Sequence, residues 1–248
     1  MIELKSRTEL DAIGEAGRAA AAALRAVRQQ VRVGVRLRDL DEIARAALSE
    51  AGAEPARPAH RPGSAVSGAI ATSVNDAIVH GVPDRTRLAE GDLLGLECGA
   101  RVGGWCALTA ATVPVGAPDP ADARLVTAAD QALQDGIAAA HPGVRLGEVC
   151  AAIGIVGRGG GYGMPGPLGG HGIGRDVREE PVVPNEGRPG RGPVLRPGLV
   201  LVLAPVLTAG GRDDLDVAGP AVRTGDGSRA AHAARTVAIT TEGPRVLT

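Results

Sequence analysis

Apolar residues in the first part of the chain recur at the spacing of amphipathic helices. Alanine and leucine positions predict one helix over 10–31, after a capping-box pattern at 6–9, and a second helix over 37–48. Two apolar runs then predict a pair of strands over 93–98 and 109–115. The first half of the chain is therefore predicted to run helix, helix, strand pair.

The second half repeats this order. Asp119 and Pro120 mark the start of a third helix that ends before Pro142. Further along, the pattern predicts a helix over 146–156 and strands over 199–207 and 236–240. Segments rich in glycine, proline or arginine predict loops over 54–68, 157–174 and 186–197. We expect an α/β protein of two similar halves forming one domain over 1–248.

Composition excludes several classes of partner. The 248 residues contain one Trp, one Tyr and no Phe, and the formal net charge is −1. Without a basic surface or aromatic side chains that stack on bases, the chain is not expected to bind nucleic acid. The longest apolar run, 199–207, is too short to cross a bilayer, and no apolar signal region stands at 1–5. We expect a cytoplasmic monomer or homodimer with no membrane contact.

Two of the five histidines are candidates for chemistry. His80 and His171 are flanked by glycine, which allows a ligand to approach the imidazole closely. His60 and His141 lie in proline-rich or helix-end surroundings typical of surface residues. His232 lies in an alanine-rich segment, and its role stays open.

Five short motifs follow one another at 73–83 (with Ser-Val-Asn and His-Gly-Val-Pro), 90–92, 170–175, 179–181 and 195–198. Together they resemble the type I methionine aminopeptidases of the pita-bread family (peptidase family M24), and the resemblance covers the whole chain. It implies the pita-bread fold, an α/β (α+β) architecture of two pseudo-symmetric halves whose curved antiparallel sheet is covered by helices. The site is implied to lie in the concave middle.

The resemblance also implies where metal ligands would stand. Members of the family hold two metal ions with five side chains, and the corresponding residues here are Glu97, Leu108, His171, Ala204 and Ala234. Only Glu97 and His171 carry a donor, whereas two neighbouring dications need several carboxylates to offset their repulsion. We therefore expect that the two-metal site is lost and that no cofactor is required.

A weakly bound single divalent metal is the alternative to a site without metal. Its further ligands would be His232, Cys106 or water. Arg178 and Arg235 occupy two positions where the family has histidine, and one hypothesis is that an arginine balances the charge of Glu97. The other is that both arginines point to solvent.

Three functions follow, in order of preference. The first is a metal-independent enzyme in which His80 and His171 act as acid and base and Glu97 orients them or stabilises charge. Its substrate would be a small amide, a peptide-like molecule or a specialised metabolite. The second is a catalytically inactive pseudoenzyme that binds a peptide or protein in the cleft. The third is a residual metallo-aminopeptidase that removes amino-terminal methionine.

Substrate-binding positions follow from the same resemblance. They are Val66, Trp105, Cys106, Leu108, Arg178, Ala204 and Ala234. Cys106 shares a strand face with Leu108, so it is either a thiol nucleophile or, as we favour, a small buried residue. The family lines its methionine pocket with aromatic residues, and the corresponding residues here are Gly63, Val66, Val177, Pro220 and Ala233. We expect a wider cleft that suits another ligand.

Overall fold

The computed structural model describes residues 2–56, 68–219 and 221–248. Its helices are α1 (Arg7–Arg28), α2 (Leu37–Glu50), α3 (Pro120–Ala139) and α4 (Leu146–Gly159). Its strands are β1 (Glu54–Pro55), β2 (Ile70–Val74), β3 (Ala77–Val79), β4 (Leu93–Val102), β5 (Trp105–Pro114), β6 (Gly169–Gly172), β7 (Glu179–Pro184), β8 (Val200–Leu203), β9 (Val206–Thr208), β10 (Leu215–Asp216), β11 (Val222–Thr224), β12 (Ala230–His232), β13 (Arg235–Thr240) and β14 (Gly243–Val246). In the described part of the chain, no helix is long and apolar enough to cross a membrane.

The helices confirm the periodicity of the sequence. Helix α1 begins after Ser6, whose side chain accepts from the backbone N–H of Glu9 while the Glu9 carboxylate accepts from the backbone N–H of Ser6. This reciprocal cap satisfies two N–H groups that a helix start leaves without partners. The helix ends at Arg28, slightly before the predicted end, and its alanine-rich face packs on β4 and β5.

The strand pair is longer than predicted. Strands β4 and β5 are antiparallel along their whole length, with Val102 opposite Trp105 across the turn. Gly103 and Gly104 both have positive φ, the geometry that a two-residue hairpin turn of this twist requires. Strand β2 pairs with β4 in the same sheet, and its residues fell outside the predicted strands.

The second half is built on a sheet with the strand order β14-β13-β8-β6-β7. The apolar run 199–207, predicted as one strand, forms two, because Ala204 and Pro205 interrupt it between β8 and β9. Proline has no N–H to donate to a ladder, so it ends the pairing at that point. The predicted loop 157–174 also contains β6, a strand rich in glycine.

Each half buries its own apolar cluster, and a third cluster lies where the halves meet. Helices α1 and α2 cover β2, β4 and β5 in the first half, and α3 and α4 cover β8 and β13 in the second. The third cluster joins α1 and β5 to β8 and β13. The site described below lies beside it.

Threonine hydroxyls bridge the seam between the halves. The Oγ1 of Thr236 accepts from the backbone N–H of Leu108 at 2.9 Å and donates to the Leu108 carbonyl at 2.8 Å. The Oγ1 of Thr112 likewise accepts from the backbone N–H of His232 at 2.9 Å and donates to its carbonyl at 2.8 Å. A short backbone bridge between Ala110 and Ala234 lies between these contacts. Side chains thus continue the sheet ladder across the seam.

Candidate functional site

A cavity of about 70 Å³ opens at the seam between the halves. Six of the residues predicted for the site line it: His80, Glu97, Leu108, His171, Arg178 and Ala204. A cavity needs roughly 10–15 Å³ to hold one water molecule, whereas pockets for drug-sized ligands measure roughly 300–1,000 Å³. The space therefore suits an ion with its water, or the end of one side chain.

Glu97 enters the cavity because of the alternation of β4. Leu96 and Cys98 face the core of the first half, so Glu97 faces the seam together with Gly95 and Gly99. Glu97 and Cys98 thus lie on opposite faces of the strand. Glu97 is 9% exposed, and its Oε1 has no hydrogen-bond partner in the described part of the protein.

His171 stands on β6 with a defined ring orientation. Its Nδ1 lies 2.9 Å from the carbonyl oxygen of Gly172, so Nδ1–H donates and Nε2 carries the lone pair. Burial lowers the pKa of His171, an effect that the Gly172 carbonyl partly opposes. The imidazole is therefore neutral near pH 7 and can act as a base or a metal ligand.

His80 lies at the cavity wall just after β3, in the left-handed region at φ 63°. Gly81 fixes this turn against β2: its N–H donates to the Ser73 hydroxyl and its carbonyl accepts from Thr72 N–H. A Cβ on Gly81 would overlap the Thr72 carbonyl, so only glycine fits there. The glycine next to His80 thus anchors the histidine to the sheet.

His232 also lines the cavity, although its role was left open by the sequence. It is 3% exposed, and neither ring nitrogen has a hydrogen-bond partner in the described part of the chain. Burial lowers the pKa of His232, so this imidazole is neutral as well. Its position two residues before Ala234, which the resemblance places at the site, is the signal that could have found it.

The predicted charge pair is not formed. Among the described residues, no ion pair joins Glu97 to Arg178 or Arg235. Arg235 donates instead to the Thr109 hydroxyl and to the carbonyls of Ala110 and Ala234, on the face away from the cavity. Arg178 is exposed at the cavity wall. The hypothesis was wrong for Arg235 because the sheet carbonyls hold its guanidinium.

Other predicted substrate residues lie apart from the cavity. Trp105 is buried in the seam cluster, with the guanidinium of Arg175 4.3 Å from its ring centroid. Cys106 is fully buried, and burial raises the pKa of its thiol. Ala234 is buried at the backbone bridge of the seam. Substrate binding by these three residues stays a prediction.

Part of the predicted pocket falls outside the described residues. Val66, Gly63 and Pro220 belong to this group, as does His60. The expectation of a wider cleft therefore stays a prediction, and at this place the described residues enclose a cavity of about 70 Å³.

The side chains of the cavity can be compared with the five-ligand arrangement that the resemblance implies. Leu108 and Ala204 line the cavity with apolar groups, and Ala234 offers no donor atom. In the described segments, no three His, Cys, Asp or Glu side chains lie close enough together to hold a metal ion. The residues therefore do not fit a two-metal centre with the five ligands of the family.

Comparison with known proteins gives consistent likenesses along the whole chain. The profile of metallopeptidase family M24 matches residues 11–241. The chain is 43% identical over 256 residues to methionine aminopeptidase 1 of Mycobacterium tuberculosis, covering 100% of this chain and 95% of the relative. A crystal structure of methionine aminopeptidase from Thermotoga maritima superposes with a TM-score of 0.94 at 33% identity, covering 100% of this chain and 99% of the other. The prolidase from Pyrococcus furiosus, at 22% identity and a TM-score of 0.78, shares the fold.

These likenesses correct four predictions. A metal-independent enzyme, a pseudoenzyme and a lost metal site are all contradicted by full-length relatives named methionine aminopeptidase. The expectation that no cofactor is required is contradicted by the family, which is one of metallopeptidases. The chain lacks a donor side chain at three of the family's five ligand positions, and this was wrongly equated with the loss of metal.

The prediction of an enzyme is confirmed, whereas its departure from a conventional aminopeptidase has no support. The pita-bread fold is confirmed by the superposition and by the two sheet-and-helix halves. With the profile matching nearly the whole chain, the protein belongs to metallopeptidase family M24 and is related to the methionine aminopeptidases.

Proposed function

We propose that the chain is an aminopeptidase that removes methionine from the amino terminus of a peptide, with a divalent cation as cofactor. The observation that carries the proposal is the 43% identity to a methionine aminopeptidase over the whole chain. The seam cavity supports it, because a carboxylate and several imidazoles meet there with apolar walls. A cytoplasmic location stays part of this proposal.

The walls of the cavity match an unbranched apolar side chain. Leu108, Val202 and Val206 supply aliphatic surface, and Ala204 leaves room beside them. A methionine side chain is flexible and fills irregular apolar gaps, so its thioether fits such a surface. We propose that the terminal methionine places its side chain against these residues.

Two polar groups at the cavity can orient the peptide. The guanidinium of Arg178 offers several N–H donors at an exposed position, where it can hold a peptide carbonyl. The neutral imidazole of His171 has its Nε2 lone pair available to accept a proton. We assign Arg178 to substrate binding and His171 to the reacting end of the peptide.

Release of free methionine tests the proposal. The purified chain is incubated with a short peptide that begins with methionine, with Co²⁺ or Mn²⁺ added or with a chelator. We expect methionine release that depends on the cation, and loss of at least about 100-fold in kcat/KM for His171→Ala. His141→Ala, which changes an exposed histidine, is the matched control and should retain full activity. Absence of methionine release with either cation would contradict the proposal.

A further inference from the structure

A second pocket, of about 250 Å³, lies across the sheet from the seam cavity. Leu108 lines the cavity, and the next residue of β5, Thr109, lines this pocket, so the two spaces lie on opposite faces of the strand. Three arginines, Arg25, Arg28 and Arg235, point into the pocket and define what we call the arginine pocket. Among the described residues, no Asp or Glu side chain lines it.

The two halves of the protein each contribute to this group of arginines. Arg25 and Arg28 lie in the last turn of α1, three residues apart and therefore on one face of the helix. Arg235 begins β13 in the second half. The negative end of the α1 dipole favours the first two positive charges where they stand, but it does not account for the third. The fold thus gathers three guanidinium groups at the junction of its halves.

Arg235 is the innermost of the three and has only neutral partners. Its side chain is partly buried, and its Nη1 donates to the Thr109 hydroxyl and to two backbone carbonyls of the seam. Within the described segments, no carboxylate forms an ion pair with Arg235, and its Nε and Nη2 make no hydrogen bond. These N–H groups are therefore available to a ligand in the pocket.

The charges in the arginine pocket repel one another. Burial lowers the pKa of Arg235, an effect that Asp130 on α3 opposes and that the charge of Arg28 reinforces. A guanidinium nevertheless stays protonated near pH 7. Arg25 and Arg28 are exposed, and neither has an ion-pair partner in the part of the chain that the structure describes. An anion bound between the three groups removes this repulsion.

The chemistry of the pocket selects a phosphoryl group. The planar guanidinium donates two parallel hydrogen bonds to neighbouring oxygens, a geometry that phosphate matches. The volume of about 250 Å³ lies just below the range of roughly 300–1,000 Å³ that is typical for drug-sized ligands. Ala21 and Leu24 add a short apolar wall beside the arginines, which can contact a small organic substituent.

We propose that the arginine pocket binds the phosphoryl group of a small molecule, with Arg25 and Arg28 from the first half and Arg235 from the second holding its oxygens. The ligand connects α1 to β13 and so stabilises the docking of the two halves. The pocket is separate from the seam cavity, and its occupation does not depend on the proposed aminopeptidase reaction.

Binding is measured on the purified chain with two probes, inorganic phosphate and the monoester glycerol phosphate. Both are titrated by calorimetry at constant ionic strength, with chloride as the reference anion. We expect one phosphoryl group per chain and an unfolding temperature above that in chloride, because a ligand that binds the folded state stabilises it. Tighter binding of the monoester would identify an ester as the ligand, and tighter binding of phosphate would identify the free ion.

Variants at exposed positions test the assignment without disturbing the core. Arg25→Gln and Arg28→Gln should each bind the better probe at least about tenfold more weakly, because a charge-assisted hydrogen bond is lost. Arg18→Gln is the matched control, since Arg18 is an exposed arginine of the same helix that does not line the pocket. It carries the same change of charge and should bind as the wild type does.

A further variant separates the arginine pocket from the seam cavity. His171→Ala, which should abolish methionine release, should bind phosphate with wild-type affinity. Loss of phosphate binding in this variant would place the anion in the cavity and overturn the proposal. So would the absence of binding by either probe, or equal losses in Arg18→Gln and Arg28→Gln, which would mean that only the overall positive charge matters. Phosphate binding as described, without any methionine release, would leave the pocket established and contradict the proposed function alone.

Discussion

Cys150 lies on α4 within the core of the second half, where burial raises the pKa of its thiol to about 11. In the unfolded chain the thiol has its ordinary pKa, about 8.5. The pKa of the thiol is higher in the folded state than in the unfolded state. The protonated thiol therefore makes its full contribution to the unfolding free energy at pH values below about 8.5. This contribution is lost as pH rises from about 8.5 toward the folded value.

We therefore predict that the wild type loses about 2 kcal/mol of unfolding free energy between pH 8 and pH 10, relative to Cys150→Ala. Urea denaturation of both proteins at pH 8, 9 and 10 measures this difference. Parallel pH profiles for the two proteins would show that the Cys150 thiol is not desolvated in the folded state.

For single residues, the sequence predicts a side-chain orientation where it depends only on neighbouring positions in the chain. Alternation along β4 assigns Glu97 to the seam and Cys98 to the core, because a strand has a strict period of two. His232 could not be placed in the same way. Its ring position depends on the space beside Gly95, a residue from the other half of the chain.

Helix α1 contains two buried glycines with opposite surroundings. A methyl group on Gly17 would overlap the backbone carbonyl of Leu247, whereas one on Gly14 would meet only the Arg18 guanidinium at 3.7 Å. Helix α1 therefore packs closely on the C-terminal segment at Gly17, whereas a methyl group can be accommodated at Gly14.

We predict opposite effects of the same substitution at these two positions. Gly17→Ala should lower the unfolding free energy by about 1–3 kcal/mol, since backbone must move. Gly14→Ala should raise it by about 0.5–1 kcal/mol, since alanine favours a helix over glycine. Chemical denaturation of both variants measures the two changes in unfolding free energy. Equal changes would mean that the C-terminal segment does not pack on Gly17.

Helices and strands were predictable where a few residues adjacent in the chain determine them. Residues 6–9 and Asp119 cap α1 and α3 as their sequence suggests, because capping involves only a few adjacent residues. The short strands β6 and β12 were missed, since glycine and alanine carry no strand preference. Their pairing with β8 and β9 is decided by the rest of the molecule.

For the whole molecule, the threonine bridges determine how firmly the halves are joined. Replacing Thr112 or Thr236 with valine keeps the shape but leaves a backbone N–H and a carbonyl of the other half without partners. We predict a loss of about 2–4 kcal/mol of unfolding free energy for either variant, measured by urea denaturation. Thr127→Val is the control, because this exposed hydroxyl bonds only within α3 and its loss should change stability by less than about 0.5 kcal/mol.

The architecture as a whole was predictable, and the grouping of polar side chains at the cavity was not. Ordered motifs along the entire chain resemble one family, and the fold agrees with its structures. The polar side chains Glu97, His171 and His232 lie on β4, β6 and β12, which meet only after both halves have formed. Their chemistry follows from three-dimensional packing, so missing donors at three positions misled the prediction about metal.

The seam has a further consequence for the order of folding. Thr112 and Thr236 bond to residues 120 and 128 positions away along the chain, so loop closure delays these contacts relative to the helices and the β4–β5 hairpin. The cavity therefore acquires its shape only when the two halves dock. Pulse-labelled hydrogen exchange during refolding should show protection of the Ala110 and Ala234 amides after that of α1, so the cavity should form later than this helix.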